Sequence, residues 1–304
     1  MTTLKKNSTR IIPAILLFFF SSLTLTNAYV FRVLGVSGKV KVMNGNSETS
    51  LKAGNQLVSG QTLIIESGYC GLLHTRGKTL ELKSPGKYSI EDLDKKVGSS
   101  ANVKVKVSDK YFDYIMGQLS KKDAEDVEKS VRKYMEVPGA VQRGSESTDG
   151  FAYAKVHAFP KNEVLPSVYR LTWEPVQGIN SYTVKLTNRF DEIIFSKEVG
   201  ATSLDLDFGK IPASGPDSYT LVVAYPGTDA SKNHEYEFKV NSSAMVELLP
   251  DEGSANWILN GIMCEEKNLY LDALKYYELA ANAEPEVTSY QDAMKNLRLK
   301  FGRK

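Results

Sequence analysis

The chain has 304 residues, of which 42% are hydrophobic and 24% are charged, and its formal net charge is +2. This length is enough for two or three domains. A nearly neutral chain has no broad electrostatic footprint for nucleic acid, and two cysteines cannot build a disulfide framework. Composition therefore indicates a multidomain globular protein that does not bind nucleic acid.

The first 28 residues have the composition of a signal sequence. Three cations precede an apolar run over residues 11–25, and Thr26-Asn27-Ala28 offers a cleavage site. The run is shorter than the roughly 20 residues of a membrane span. We expect cleavage after Ala28 and export to the periplasm, without a lipid anchor because no cysteine lies near the cleavage site. The alternative is an uncleaved segment that anchors the chain in the inner membrane.

Residues 29–108 are predicted to form a β domain, with short strands up to about residue 93. Valines alternate with polar or small residues over residues 36–43, and Asn44-Gly45 is a turn sequence. Gly54 and Gly60 each follow a leucine by three residues, a spacing that marks tight turns between short strands. A further hairpin turn is predicted at Arg76-Gly77.

The order of these features resembles the FecR-like periplasmic domain. The family shows a Gly-x-Val-x-Val strand, a leucine–glycine passage, and a Leu-x-Leu strand after a late glycine. The matching positions are Gly38, Val40, Val42, Leu51, Gly54, Leu57, Gly60, Gly77, Leu80 and Leu82. The resemblance implies a β fold that works as a docking surface. An envelope signalling component of the FecR type is an alternative, and it would require the uncleaved N-terminal anchor.

Residues 109–150 are predicted to be a helical connector followed by a linker. Phe112, Ile115 and Leu119 have helical spacing, and so do the apolar residues between positions 124 and 135. Residues 144–150, which are rich in serine, glycine and acids, are the linker.

Residues 151–241 have the pattern of an antiparallel β-sandwich. Trp173 lies in a strand that ends at Pro175, and Tyr219 begins a later strand. Three segments between them recur at the spacing of sandwich strands: residues 181–187, 193–199 and 202–208. The motifs resemble a fibronectin type III or related immunoglobulin-like domain. This resemblance implies that Tyr219 is a tyrosine corner, whose hydroxyl ties its strand to the preceding loop.

Residues 250–304 contain a helical repeat pattern. The positions that carry it are Trp257, Gly261, Ala273, Tyr277, Ala280 and Pro285. Their spacing resembles one tetratricopeptide repeat, a helix–turn–helix of about 34 residues. Asn260 and Cys264 depart from the pattern, which has a leucine and a large aromatic residue there. The small Gly261 and Ala273 would let two helices approach closely, and Pro285 would end the second helix.

The repeat resemblance implies a module that binds other proteins and does no chemistry. A third helix over residues 288–301 would cap the hairpin. Four residues are expected on or near a partner-binding groove: Trp257, Asn260, Cys264 and Asn268. Stacked repeats need about three units for stability, so a homodimer through residues 254–304 would complete the lone repeat.

The search for chemistry yields little. The three histidines have no metal-ligand spacing, and no serine lies in a hydrolase motif. Asp205 and Asp207 could hold calcium on a strand, although a solvated strand edge is the better interpretation. Cys70 and Cys264 could pair after export, but we expect both to be buried small hydrophobic residues. We expect no enzyme activity, no cofactor and no metal site.

The sequence therefore predicts a multidomain fold, mainly β with α. The predicted function is a non-enzymatic periplasmic or cell-envelope adaptor or scaffold that binds envelope proteins through its β modules and helical hairpin. The alternative is a carbohydrate-binding envelope protein, with a glycan platform on the sandwich formed by Tyr182, Tyr225 and Tyr236.

Overall fold

The structure is a computed structural model, and it describes five stretches of the chain: residues 29–98, 153–211, 218–228, 233–241 and 248–300. They form a first β module (residues 29–98), a second β module (residues 153–241) and a helical unit (residues 248–300). The fold is therefore mainly β with α.

Several predicted segments lie outside the described residues. They are the signal sequence (1–28), the end of the first predicted domain (99–108) and the helical connector with its linker (109–150). Their predictions stay predictions.

The first β module is a six-stranded antiparallel sheet. Its strands are β1 (Phe31–Asn44), β2 (Ser47–Ser50), β3 (Gln56–Leu57), β4 (Thr62–His74), β5 (Thr79–Leu82) and β6 (Gly86–Ser89). Strands β1 and β4 form the central pair; β2 and β3 add to β1, and β5 and β6 add to β4. The predicted turns are present, with φ of 59° at Gly45 and 83° at Gly77. Glycine adopts this left-handed conformation without steric penalty.

Helix α1 (Ile90–Gly98) closes the first module, where the sequence analysis predicts strands up to about residue 93. The signal for a helix is present in the sequence. Ile90, Leu93 and Val97 have helical spacing and are buried in the core of this module. Acidic residues lie in the first turn and lysines in the last, where the helix dipole favours them.

The second β module consists of two sheets that share a core. Its strands are β7 (Lys161–Val164), β8 (Val168–Thr172), β9 (Tyr182–Thr187), β10 (Ile193–Val199), β11 (Ser203–Asp207), β12 (Tyr219–Ala224) and β13 (Glu235–Val240). One sheet has the order β10-β9-β12-β13-β7, and β11 pairs with β8 in the other. The β13–β7 pair is parallel, whereas the other pairs in this module are antiparallel. The three predicted segments between Trp173 and Tyr219 coincide with β9, β10 and β11.

The helical unit consists of α2 (Ser254–Glu266), α3 (Tyr270–Ala283) and α4 (Thr288–Lys300). The helices lie where the repeat pattern predicts them. Helices α2 and α3 approach closely at Gly261 and Tyr277, because a Cβ at Gly261 would lie less than 3.0 Å from the Tyr277 ring. Ala273 and Ala280 are fully buried, and Pro285 is exposed in the turn after α3.

The helical unit packs against both β modules. Helix α2 contacts β1, β4 and β5, helix α4 contacts β1, and helix α3 contacts β7 and β8. One hydrophobic core runs from the second module through the helices to Leu34 and Tyr69 of the first module. The first module also has a separate core of its own. The helices therefore join the two β modules.

Candidate functional site

Two of the four predicted groove residues are buried. Asn260 and Cys264 are both 0% exposed. The Asn260 side chain accepts a hydrogen bond from the Leu249 backbone nitrogen (2.8 Å) and donates one to the Leu249 carbonyl (3.1 Å). Buried side chains cannot contact an outside partner, so these two residues support the fold. The Asn260 amide satisfies the Leu249 backbone groups, which an apolar side chain at this position could not do.

The other two predicted groove residues remain accessible. Trp257 is half-buried on α2, and its indole N–H donates to the Asp251 carboxylate over 2.6 Å. Asn268 is exposed in the turn between α2 and α3, with φ of 61°, and it accepts a hydrogen bond from the Tyr270 hydroxyl (2.8 Å). The accessible part of the predicted site is therefore the outer surface of α2 and the turn after it.

A polar joint connects the first β module to the start of α2. The Glu81 carboxylate, on β5, accepts hydrogen bonds from the Ala255 backbone nitrogen (2.8 Å) and from the Ser254 hydroxyl (3.0 Å). The N-cap residue of α2 is Gly253, which has no side chain to cap the helix. Glu81 therefore takes the place of the N-cap side chain from another module. Thr79 of β5 also bonds Asn256 of α2.

Two buried tyrosines extend this hydrogen-bond network into the protein interior. The Tyr69 hydroxyl of β4 lies 3.1 Å from the Tyr290 hydroxyl of α4 and 3.0 Å from the Ser254 hydroxyl. Burial raises the pKa of both Tyr69 and Tyr290, so both hydroxyls stay protonated and can donate. A Cβ at Gly35 or Gly71 would collide with this part of α4, so both glycines make room for Tyr290.

A second polar joint connects α3 to the second β module. Asp272 is 2% exposed and accepts hydrogen bonds from the Tyr169 hydroxyl (2.5 Å) and the Leu165 backbone nitrogen (3.2 Å). Burial is the main cause that raises the pKa of Asp272. On the same helix, Lys275 donates to the Ser167 hydroxyl over 2.8 Å. Buried polar contacts thus connect the helical unit to both β modules. Tyr69 of the first module contacts Tyr290, and Tyr169 of the second module contacts Asp272.

No local sequence pattern predicts the residues of these two polar joints. Glu81 lies between two leucines of a strand and has the pattern of a solvent-facing residue. Asp272 lies in the first turn of a helix, where a solvated acid is common. Their partners are 174 and 103 residues away in the chain, and no local pattern encodes such a contact.

The three histidines, which could act in catalysis or bind a metal, each make contacts at a different place in the fold. His74 bonds Asp94 (2.9 Å) through one ring nitrogen, and the other accepts the Arg76 backbone N–H. His157 bonds the Thr172 hydroxyl, and His234 stacks on Tyr153. Within the described residues, no three histidine, cysteine or acidic side chains come together as a metal site.

The predicted calcium and glycan residues also have other roles. Asp205 accepts a bidentate contact from Arg170 at 2.8 and 2.9 Å, as expected for a solvated strand edge. Tyr182 and Tyr236 are each 2% exposed, so two of the three residues of the supposed sugar platform lie in the core. Trp173 (2%) and Tyr219 (1%) are buried there as well.

No protein-family model matches the chain, and no curated protein matches it. In the part of the chain that the structure describes, no helix is both long enough and apolar enough to cross a membrane.

Proposed function

We propose that this chain is a non-enzymatic adaptor or scaffold of the cell envelope, exported to the periplasm, that presents protein-binding surfaces on a fixed three-module body. In this proposal the first β module is FecR-like, the second is a fibronectin type III or immunoglobulin-like sandwich, and the helical unit is a single tetratricopeptide-like repeat with a capping helix. The partners are envelope proteins.

The observation that supports this proposal is the pair of polar joints between the helical unit and the β modules. Buried, directional contacts fix the relative orientation of packed modules more narrowly than apolar contact alone. A body with fixed modules loses little conformational freedom when a partner binds, which favours affinity. The mechanism is passive: shape and buried apolar contact supply the binding energy, with no covalent step.

The accessible part of the helical unit differs from the groove that the sequence predicts, so a partner would bind elsewhere on this unit. The inner face of α2 is covered by the first β module and by α3, so binding would use Trp257 and Asn268 rather than a groove through Asn260 and Cys264. The same packing supplies the neighbours that a single repeat lacks. In this proposal the β modules take the place of neighbouring repeats, and the homodimer through residues 254–304 stays an untested prediction.

In-cell photo-crosslinking tests the proposal without disturbing the fold. A photoreactive residue at Asn268 probes the turn after α2, and one at Thr49 of the exposed strand β2 probes the first module. Lys210 of the second module, which is exposed at 86%, is the matched control position for nonspecific capture. We expect one envelope protein at Asn268 or Thr49 that is absent at Lys210. The same proteins at all three positions, or none at any, would argue against an adaptor.

A further inference from the structure

The sequence contains an asparagine followed by a glycine at two places, and the fold puts these two sites in opposite environments. Asn44 and Gly45 are exposed where β1 ends and the turn to β2 begins. Asn260 and Gly261 lie inside helix α2, and Asn260 is 0% exposed. The same dipeptide can therefore be compared in an open turn and in a packed helix of one chain.

An asparagine that precedes a glycine can lose its side-chain amide nitrogen by an intramolecular reaction. The backbone nitrogen of the glycine gives up its proton and attacks the Cγ carbon of the asparagine. A cyclic imide forms, and the amide nitrogen leaves as ammonia with that proton. Water then opens the ring at either carbonyl carbon and yields aspartate or isoaspartate. Glycine favours the attack because no Cβ crowds its nitrogen and because its backbone is conformationally permissive.

The site at Asn44 is open to this reaction in the folded chain. A Cβ at Gly45 would meet nothing within 4 Å, so the space around the turn is free. Strand β2 consists of four exposed residues, and among the described strands it pairs with β1 alone. Short elements with few buried contacts open locally at little cost in free energy. Asn44 can therefore reach the geometry for attack without unfolding of the first β module.

The site at Asn260 is protected by the fold. Its amide donates to the Leu249 carbonyl (3.1 Å) and accepts from the Leu249 backbone nitrogen (2.8 Å). The Gly261 nitrogen lies within α2, where a Cβ would collide with the Tyr277 ring. A reaction at Asn260 requires these contacts to break and the helix to open. Opening of a packed core element costs much more than fraying of a surface strand.

We propose that Asn44 is a site of spontaneous deamidation in the folded protein, with water as the second reactant and isoaspartate and aspartate as products. Asn260 keeps its amide until the helical unit unfolds. The pair of Asn44 and Ser47 closes the hairpin between β1 and β2. Isoaspartate inserts an extra carbon atom into the main chain at this pair, so the short turn no longer holds the register of β2.

The modification changes the edge of the first β module. In the unmodified chain, β2 covers the edge of β1 over residues 41–44. Lys41 contacts Glu48 of β2 (3.4 Å) and Glu66 of β4 (2.9 Å). Release of β2 removes the Glu48 contact and leaves backbone N–H and C=O groups of β1 unpaired. An open strand edge can pair with another chain, so deamidation converts a covered edge into an adhesive one.

Peptide mapping by mass spectrometry tests the proposal on the folded full chain, incubated in neutral buffer. Electron-transfer fragmentation distinguishes isoaspartate from aspartate. We expect conversion at Asn44 and a rate at Asn260 that is lower by roughly a hundredfold or more. Asn46 is the matched control for the glycine, because it is exposed in the same turn but precedes Ser47. It should convert more slowly than Asn44.

The same measurement in urea separates the effect of the fold from that of the dipeptide. Unfolding should bring the rate at Asn260 close to that at Asn44, whereas the rate at Asn44 should change by less than about tenfold. Hydrogen exchange over residues 47–50 should increase as Asn44 is converted. It should stay constant over the same period in Asn44→Gln, because the longer glutamine side chain does not form this ring readily.

Three results would overturn the proposal. Asn44 could stay intact in the folded chain and convert only in urea, which would show that the hairpin holds it away from the Gly45 nitrogen. Asn260 could convert in the folded chain as fast as Asn44, so that burial would give no protection. Isoaspartate could form at Asn44 while exchange over residues 47–50 stays unchanged, which would show that β2 is not released.

Discussion

The Glu81 carboxylate accepts a hydrogen bond of 2.8 Å from the Ala255 backbone N–H, although the two residues are 174 positions apart. The first turn of α2 leaves backbone N–H groups without partners inside the helix. Gly253 cannot cap them, and a negative charge at this end also suits the helix dipole. The stability of α2 is therefore tied to the first β module.

Replacing this carboxylate should destabilise the helical unit. We expect Glu81→Ala to lower the free energy of unfolding by about 1–3 kcal/mol, because it removes a cap and leaves buried donors unsatisfied. Hydrogen exchange should increase first over residues 254–258. The control is Glu91→Ala, which removes a contact to Ser59 inside the first module (3.1 Å). Equal losses in both variants by urea denaturation would contradict the role assigned to Glu81.

Because α2 and α3 approach closely, a single methyl group added between them should lower the stability of the fold. Gly261→Ala places a Cβ against the Tyr277 ring, and overpacking of this kind costs about 1–3 kcal/mol. Gly200→Ala is the control, because its Cβ would meet only the Asn180 carbonyl oxygen at an ordinary 3.6 Å. Thermal unfolding should show a lower midpoint for Gly261→Ala alone. A normal midpoint would mean that the helices can separate without loss.

Because Asp272 is buried, its contribution to the free energy of unfolding should depend on pH in a defined direction. Burial raises the pKa of Asp272 in the folded state above its usual value, so ionisation costs the folded state more than the unfolded state. A raised pKa contributes stability that is fully present below the unfolded value and is lost as pH rises through the folded value. The unfolding free energy of the wild type minus that of Asp272→Asn, measured in urea, should therefore fall as pH rises above the usual pKa of an aspartate. A difference that rises with pH, or stays constant, would contradict this.

The hydroxyl of Tyr169 should contribute to the same joint. Tyr169→Phe removes the 2.5 Å hydrogen bond to Asp272, and we expect a loss of about 1–3 kcal/mol in unfolding free energy. Tyr88→Phe is the control, since its hydroxyl bonds the Ser84 carbonyl at an exposed site. In a double-mutant cycle, Tyr169→Phe and Asp272→Asn should be coupled by about 0.5 kcal/mol or more. Additive losses would show that the two residues act independently.

The two cysteines should be unreactive in the folded protein. Both are free and buried, as expected from the sequence, and burial raises the pKa of Cys70 to about 12 and raises that of Cys264 as well. The thiolate is the reactive form, so a thiol reagent should label neither residue until denaturant is added. Rapid labelling of either residue in native buffer would contradict the packing described above.

The strands and helices were predictable where the pattern is local. The alternation in β9 and β12, the turn glycines at positions 45 and 77, and the Gly261–Tyr277 spacing all depend on neighbours within one or two elements. Helix α1 was missed because its helical spacing overlaps the end of a strand-rich region. Its signal was available in Ile90, Leu93 and Val97.

The candidate site could not be predicted in the same way. A single repeat does not reveal which side of α2 is covered, so the pattern predicts Asn260 and Cys264 on a groove although both are buried. The joints at Glu81 and Asp272 depend on how three modules pack. Such contacts connect residues more than a hundred positions apart, and periodicity carries no information about them.

The helical unit covers surfaces on both β modules, yet residues 248–300 follow both modules in the chain. During synthesis the β modules emerge earlier than the helices that pack with Leu34 and Tyr169 in one core. Domains generally fold in the order in which they emerge. For an interval set by the rate of translation, two apolar faces are open to chaperones and proteases. Completion of the C-terminal helices closes both faces at nearly the same moment, so a nascent chain gains its final protection in one late step.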